Sequence, residues 1–141
     1  MTIKEIQEEI VDEFSMFEDW MQRYEYIIEL GKTLPMIKEE YKTDVNLIKG
    51  CQSKVWLQGE QDDDKVVFTA DSDAILTKGI IAILIRAFNN QKAIDIVNAD
   101  LKFIDDIGLK EHLSATRANG LVSMIKNIKM YALAFDSKNK N

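Results

Sequence analysis

One stretch constrains this chain more than any other. From Ala74 to about Phe88 the residues Ile75, Leu76, Ile80, Ile81, Ile83, Leu84 and Ile85 cover nearly every side of a helix. A helix apolar almost all round must be buried almost all round, so this run reads as the central helix of the fold. Asp73 suits its N-cap, and Asn89-Asn90 ends it.

The rest of the chain reads as elements around that helix. Thr2 and Glu5 form a capping-box pattern, followed by Ile3, Ile6, Ile10, Phe14 and Phe17 at helical spacing. This predicts a first helix ending near Phe14. Ser15 and Glu18 repeat the capping pattern ahead of Trp20, Tyr24, Ile27 and Ile28, with Gly31 as a left-handed C-cap. Leu34-Pro35 then breaks the helical pattern. The middle changes character. Short runs rich in β-formers predict three antiparallel strands near 45–49, 54–60 and 65–70, with the two preceding helices covering one face. After the central helix, two short helices are expected near 92–97 and 101–107, Gly108 closing the second. Ser114 caps a final helix from about Thr116 to Phe135, and the tail SKNKN should fray. The expectation is an α/β fold of the α+β type: one domain over residues 1–141, a three-stranded antiparallel sheet flanked by helices.

With 141 residues, the chain can bury roughly two thirds of its unfolded surface and needs no staples. Apolar residues make up 46% and charged residues 30%, ordinary values for a soluble protein. No apolar run approaches the ~20 residues that span a bilayer. The opening MTIKEIQEEI alternates acidic and apolar residues, unlike a signal peptide, so no membrane association and a cytoplasmic location are expected. The net charge is −6, and residues 1–50 hold 12 acids against 6 bases. Phosphate binding needs a dense basic face, which argues against a nucleic-acid partner. The acidic N-terminal part serves either solubility alone or the choice of a protein partner.

Chemistry is confined by the inventory: one cysteine, Cys51, and one histidine, His112. A disulfide within the chain is excluded, as is a multi-cysteine zinc or iron–sulfur site, so no metal is expected. A cysteine protease would need a histidine base with an orienting partner, and His112 carries no such signature. A thioredoxin-like oxidoreductase would need a resolving cysteine. A lone cysteine is commonly a small buried hydrophobe. Here, however, the neighbours Gly50, Gln52, Ser53 and Lys54 are polar, and the position is a predicted hairpin turn whose geometry Gly50 permits. That leaves a cysteine modified by other proteins, which then hands its cargo on. Lys54 and, across the fold, Arg117 are candidate cations to support a thiolate. For Arg117 a structural ion pair is the competing role.

Gly50-Cys51-Gln52-Ser53 followed by Val55-Trp56 resembles the SufE motif around its sulfur-accepting cysteine. Trp20, Arg23-Tyr24, Ile27 through Gly31 and Leu34-Pro35 resemble that family's N-terminal stretch. Ala70 to Ala74, then Lys78-Gly79, resembles the segment opening its central helix. Leu109, His112-Leu113-Ser114, Arg117 and Gly120-Leu121 resemble its C-terminal block, with Ala115 where the family commonly has proline. The four blocks fall in family order over about residues 20–130. The paralogous CsdE proteins share the pattern, so the alternatives to a SufE role are a CsdE-like relay to another pathway, such as tRNA thiolation, or an interaction module whose cysteine is structural. The resemblance implies a fold related to the IscU scaffold and a sulfur relay rather than an enzyme. Cys51 would receive a persulfide sulfur from a SufS-type cysteine desulfurase, stimulate that enzyme, and deliver to a SufBCD-type scaffold for iron–sulfur cluster assembly. It also implies no bound cofactor, the pyridoxal phosphate belonging to the desulfurase.

Overall fold

The computed structural model describes residues 1–139. Its centre is the expected apolar helix, flanked here by the elements that precede and follow it. The first helix, α1 (Ile3–Ser15), starts with the Thr2/Glu5 capping box and buries Ile3, Ile10 and Phe14. The second, α2 (Trp20–Gly31), is capped by Asp19, whose carboxylate accepts from the Gln22 amide at 2.8 Å. Ser15 does not cap it, because α1 continues through that residue and its hydroxyl donates to the Asp12 carbonyl. Gly31 is not a left-handed cap either. The helix ends on Lys32 in the right-handed region, and Gly31 lies against the next long helix.

Two antiparallel strands follow, β1 (Val55–Asp62) and β2 (Lys65–Ser72), in register from Val55↔Ser72 to Asp62↔Lys65. Asp63 turns the hairpin at φ 59°, a conformation Asp tolerates better than most residues. The central helix, α3 (Ile75–Phe88), crosses behind them, with Ile81, Leu84, Ala87 and Phe88 fully buried. A two-residue strand, β3 (Gln91–Lys92), completes a three-stranded antiparallel sheet of order β1-β2-β3.

The third strand is therefore not the expected 45–49 segment. Asp44–Asn46 is a 3-10 turn, held by Asn46 N–H on Thr43 O and by the Asn46 side chain on Tyr41 O. Val45 is 92% exposed, so its β-forming side chain has no pleated face to pack on. Only Leu47 bridges to Trp56, with Ile48 N–H donating to Val55 O at 2.8 Å.

Val55, Leu57, Val66, Phe68 and Ala70 form the buried face of the sheet. α3 covers that face, and α1 and α2 pack on α3 rather than on the sheet as the sequence suggested. The closest approach is at paired glycines. A Cβ on Gly79 would collide with the Ile27 carbonyl, and one on Gly31 would lie 3.1 Å from the Gly79 nitrogen. Arg86 ties α3 to α1 through Glu9 and Glu13.

The C-terminal elements are α4 (Ala93–Asn98), α5 (Lys102–Asp106), α6 (Leu109–His112) and the long α7 (Ala115–Asn139). Gly108 takes φ 73° between α5 and α6, as its position foretold. Ser114 Oγ accepts from the Arg117 amide at the start of α7. Lys129 of α7 caps α4, its ammonium donating to the carbonyls of Ile96, Val97 and Ala99. The Tyr131 ring lies against Gly59 and Phe68, seating α7 beside β1. Of the tail expected to fray, residues 137–139 continue α7, and Lys140 and Asn141 lie outside the described residues. Among the described residues, no helix is long and apolar enough to cross a membrane.

Candidate functional site

Cys51 stands at the tip of the loop between the Leu47 bridge and β1. Both ends of the loop are pinned. At the near end Ile48 bonds Val55. At the far end the Lys54 backbone is held three ways: its N–H donates to Asp73 Oδ1 at 3.0 Å, and its carbonyl accepts from Ser72 Oγ at 2.8 Å and from the Asp73 amide at 3.2 Å. This is what Asp73 does in place of the expected helix cap. The α3 N-cap position is Ala74, and Asp73 spends its carboxylate on the loop.

The tip reaches back to α7. The Cys51 thiol, half-buried, donates to the Gly120 carbonyl at 3.6 Å. Gly120 lies close against the loop tip, and a Cβ on it would sit 3.4 Å from Cys51 Sγ, in ordinary contact. Gly50 adopts φ 91°, the left-handed geometry foreseen for the turn, with Ser123 behind it.

A cavity of about 50 Å³ lies beside the thiol, lined by Cys51, Gln52, Ser53, Thr77, Ile80, Thr116, Arg117, Gly120 and Met124. The fold thus brings four of the sequence-predicted residues together: Cys51, Gln52, Ser53 and Arg117. Lys54 is not among them. Its backbone anchors the loop while its side chain is exposed. Arg117 is also exposed, at the rim, and has no carboxylate partner among the described residues, which removes the structural ion pair as its role. His112 is elsewhere, stacked on Trp20 with ring centroids 4.1 Å apart, and supplies no base to the cavity.

Burial pushes the Cys51 thiol up from its ordinary pKa. The Gly120 carbonyl acts in the same direction, since it can accept from a thiol but only repel a thiolate. The resting cysteine is thus a sheltered thiol. The expected lowering by Lys54 and Arg117 does not operate in this state. Sequence reasoning missed Thr77, Ile80, Thr116 and Met124. They come from the first turns and interiors of two helices, where nothing local marks a cavity wall. Gly120 was visible only as part of a motif.

A model of the SufE family, described as the Fe-S metabolism associated domain, matches residues 8–132. This chain belongs to the SufE family. A SufE-like protein of Rhizobium meliloti (strain 1021) is 42% identical over 130 residues, covering 89% of this chain and 93% of the relative. One of Rhizobium etli is 40% identical over 127 residues, covering 86% of each chain. The solution structure of a hypothetical protein from Thermus thermophilus has the same fold, with a TM-score of 0.78 at 13% identity over 94% of this chain and 96% of that one. Within this SufE-family chain the Gly-Cys-Gln-Ser motif forms the loop tip, and the C-terminal block supplies the opposing wall through Arg117 and Gly120. Among the described residues, no three His, Cys, Asp or Glu side chains are grouped to hold a metal.

Proposed function

We propose that Cys51 accepts a sulfane sulfur from a SufS-type cysteine desulfurase and passes it to a SufBCD-type scaffold for iron–sulfur cluster assembly. The observation that carries this reading is the chain's single cysteine at the tip of a pinned loop, its thiol turned onto a small cavity, in a chain of the SufE family. The desulfurase holds its product as a persulfide on its own cysteine. The Cys51 thiolate attacks the terminal sulfur of that persulfide. A new S–S bond forms to Cys51, the desulfurase's S–S bond breaks, and its cysteine leaves as a thiolate carrying the electron pair. The exchange is redox-neutral and needs no cofactor on this chain.

The resting geometry supports storage, and attack requires a change. While the thiol donates to Gly120 it is protonated and half-buried, a poor nucleophile that is also shielded from oxidants. To react, Sγ must leave the Gly120 carbonyl. The Ile48 and Lys54 anchors allow the tip to swing while its ends stay fixed. Docking on the desulfurase, which the family resemblance implies also stimulates that enzyme, would supply this opening. Arg117, free of any carboxylate among the described residues, would meet either the sulfur anion or an acidic group of the partner.

Incubation with a SufS-type desulfurase, cysteine and pyridoxal phosphate should add one or more sulfur masses to the intact protein, removable by reduction. Cys51→Ser should gain none. An unmodified wild type beside a demonstrably active desulfurase overturns the reading.

A further inference from the structure

The cavity beside Cys51 has a feature that a hydrophobic shelter would not need. Thr77 is buried, with 6% of its surface exposed, yet its hydroxyl has no hydrogen-bond partner among the described residues. The hydroxyl is not sealed in the core, since Trp20 Nε1 is the one fully enclosed side-chain polar atom without a partner among those residues. Thr77 lines the cavity, which gives an unpartnered hydroxyl a space to reach into. A buried hydroxyl without a partner costs free energy that an isosteric valine would avoid.

Two helix starts frame the same space. Thr77 lies in the first turn of α3, the 14-residue helix whose first interior hydrogen bond runs from Lys78 N–H to Ala74 O. Thr116 and Arg117 lie in the first turn of the 25-residue α7. The N-terminal turn of a helix favours negative charge, through amides that lack an intrahelical acceptor and through the aligned peptide dipoles. Arg117 adds a full positive charge at the rim. One donor hydroxyl, two helix starts and a guanidinium therefore surround a space that adjoins a sulfur atom. The acceptor that the thiol touches, Gly120 O, lies on Sγ itself.

We infer that this cavity is an anion site for the terminal sulfur of a Cys51 persulfide, with the Thr77 hydroxyl as its hydrogen-bond donor. This rests on the sulfur-relay reading above and names the residue that stabilises the carried group. The added sulfur extends one bond beyond Sγ, away from the repelling carbonyl and into the donor-lined space. A persulfide is more acidic than its parent thiol, so the bound form is the anion. The volume of about 50 Å³ admits one further sulfur atom. Thr77 is a positioning residue for the stored group. It takes no part in bond breaking.

The test bypasses the desulfurase. Wild type, Thr77→Val and Thr77→Ser are treated with inorganic tetrasulfide, and the Cys51 persulfide is followed by intact mass. Cys51 thiolate attacks a terminal sulfur of the tetrasulfide, the bond from that sulfur to its neighbour breaks, and trisulfide leaves with the electron pair. Two properties are then read: the rate at which cyanide removes the sulfane sulfur, and the pH midpoint of the persulfide anion's near-ultraviolet absorbance. Thr77→Val should lose sulfur to cyanide about tenfold faster than wild type, and its midpoint should rise by about one pH unit, the loss of one hydrogen bond to an anion. Thr77→Ser, which keeps the donor, should match wild type in both. Unfolding of the same samples separates a general loosening from this effect, because loosening alone would not move the midpoint in Val and spare it in Ser. Equal lifetimes and midpoints in Val and wild type overturn the inference, as does a wild-type-like melting temperature in Ser with a short-lived persulfide. A wild type that loads from tetrasulfide but never from an active desulfurase sinks the relay reading and leaves this comparison intact.

Discussion

At the scale of single residues, the resting state of Cys51 follows from two contacts. Burial and the Gly120 carbonyl both favour the protonated thiol. A thiol pKa raised on folding means that the native state holds its proton longer than the unfolded chain does. That contribution to stability is complete below the unfolded pKa, about 8.5, and is lost as pH rises through the folded value. Iodoacetamide alkylation of the free protein should therefore be slow near neutral pH, with its midpoint above that of a cysteine peptide measured alongside; a midpoint below the peptide's would contradict this. Because no cation sets the resting value, Arg117→Ala should leave this curve unchanged. Exposed and free of ion pairs among the described residues, it should also change unfolding free energy by no more than about 0.5 kcal/mol. Its effect should appear only with a partner or a bound sulfur anion present. Cys51→Ser should cost no more than about 1–2 kcal/mol, since the side chain sits at a loop tip and keeps a donor for Gly120. Chemical denaturation measures both.

At the scale of elements, the decisive contact is between α2 and α3. Gly79 admits the Ile27 carbonyl where any side chain would collide with backbone, and backbone cannot swing aside as a rotamer can. Gly79→Ala should destabilise by about 3 kcal/mol or more, at or beyond the upper end for overpacked sites. The effect should reach the site, because α3 also supplies Thr77 and Ile80 to the cavity wall. A variant that melts like wild type would show that the helices separate at little cost. Lys129 makes a second such join, donating at 2.7, 3.1 and 2.6 Å to three carbonyls at the end of α4. Lys129→Met keeps the stem but strips those carbonyls of their donor, a loss of about 1–3 kcal/mol. Urea midpoints of the two proteins provide the check.

At the scale of the whole molecule, carboxylates join distant segments. Arg86 of α3 bonds Glu13 of α1 and holds its pKa below the ordinary carboxylate value, outweighing the burial that pushes it up. At Asp71 burial also pushes up, but the Lys42 ammonium, the Ser72 amide and the charge of Lys78 win, and the net direction is down. Lys42 in turn lies over the Trp56 ring at 5.7 Å, so this group ties the segment ahead of β1 to β1, β2 and α3. A carboxylate with a lowered folded pKa binds its proton more readily in the unfolded chain. Its stabilisation is present above the unfolded pKa and disappears as pH falls through the folded value. Urea midpoints should therefore fall between about pH 5 and about pH 3. Glu13→Gln should start lower and fall less over that window. An identical slope in the variant would mean that the Arg86 pairing contributes no pH dependence.

What the sequence determined by itself was everything set within a few residues. The Thr2/Glu5 box, the turn at Gly108, the end at Asn89-Asn90 and the hydroxyl cap at Ser114 are local hydrogen-bonding choices, and the chain carries them openly. The all-apolar run was legible as a central helix because its periodicity leaves no wet face. Cys51 stood out because it is alone and its neighbours are polar. What only the tertiary structure decided depends on partners far along the chain. Gly31 looks like a cap until Gly79 is seen beside it. Val45 has the right propensity for a strand but no neighbour to pair with, while Gln91-Lys92 became the third strand because α3 delivered it to the edge of β2. Asp73 was drawn from a capping role to the Lys54 backbone by the return of the loop. The cavity joins residues from the loop, α3 and α7, with Cys51 and Gly120 69 positions apart. No pattern along the chain encodes such a wall, because it exists only once packing has placed one helix start against another.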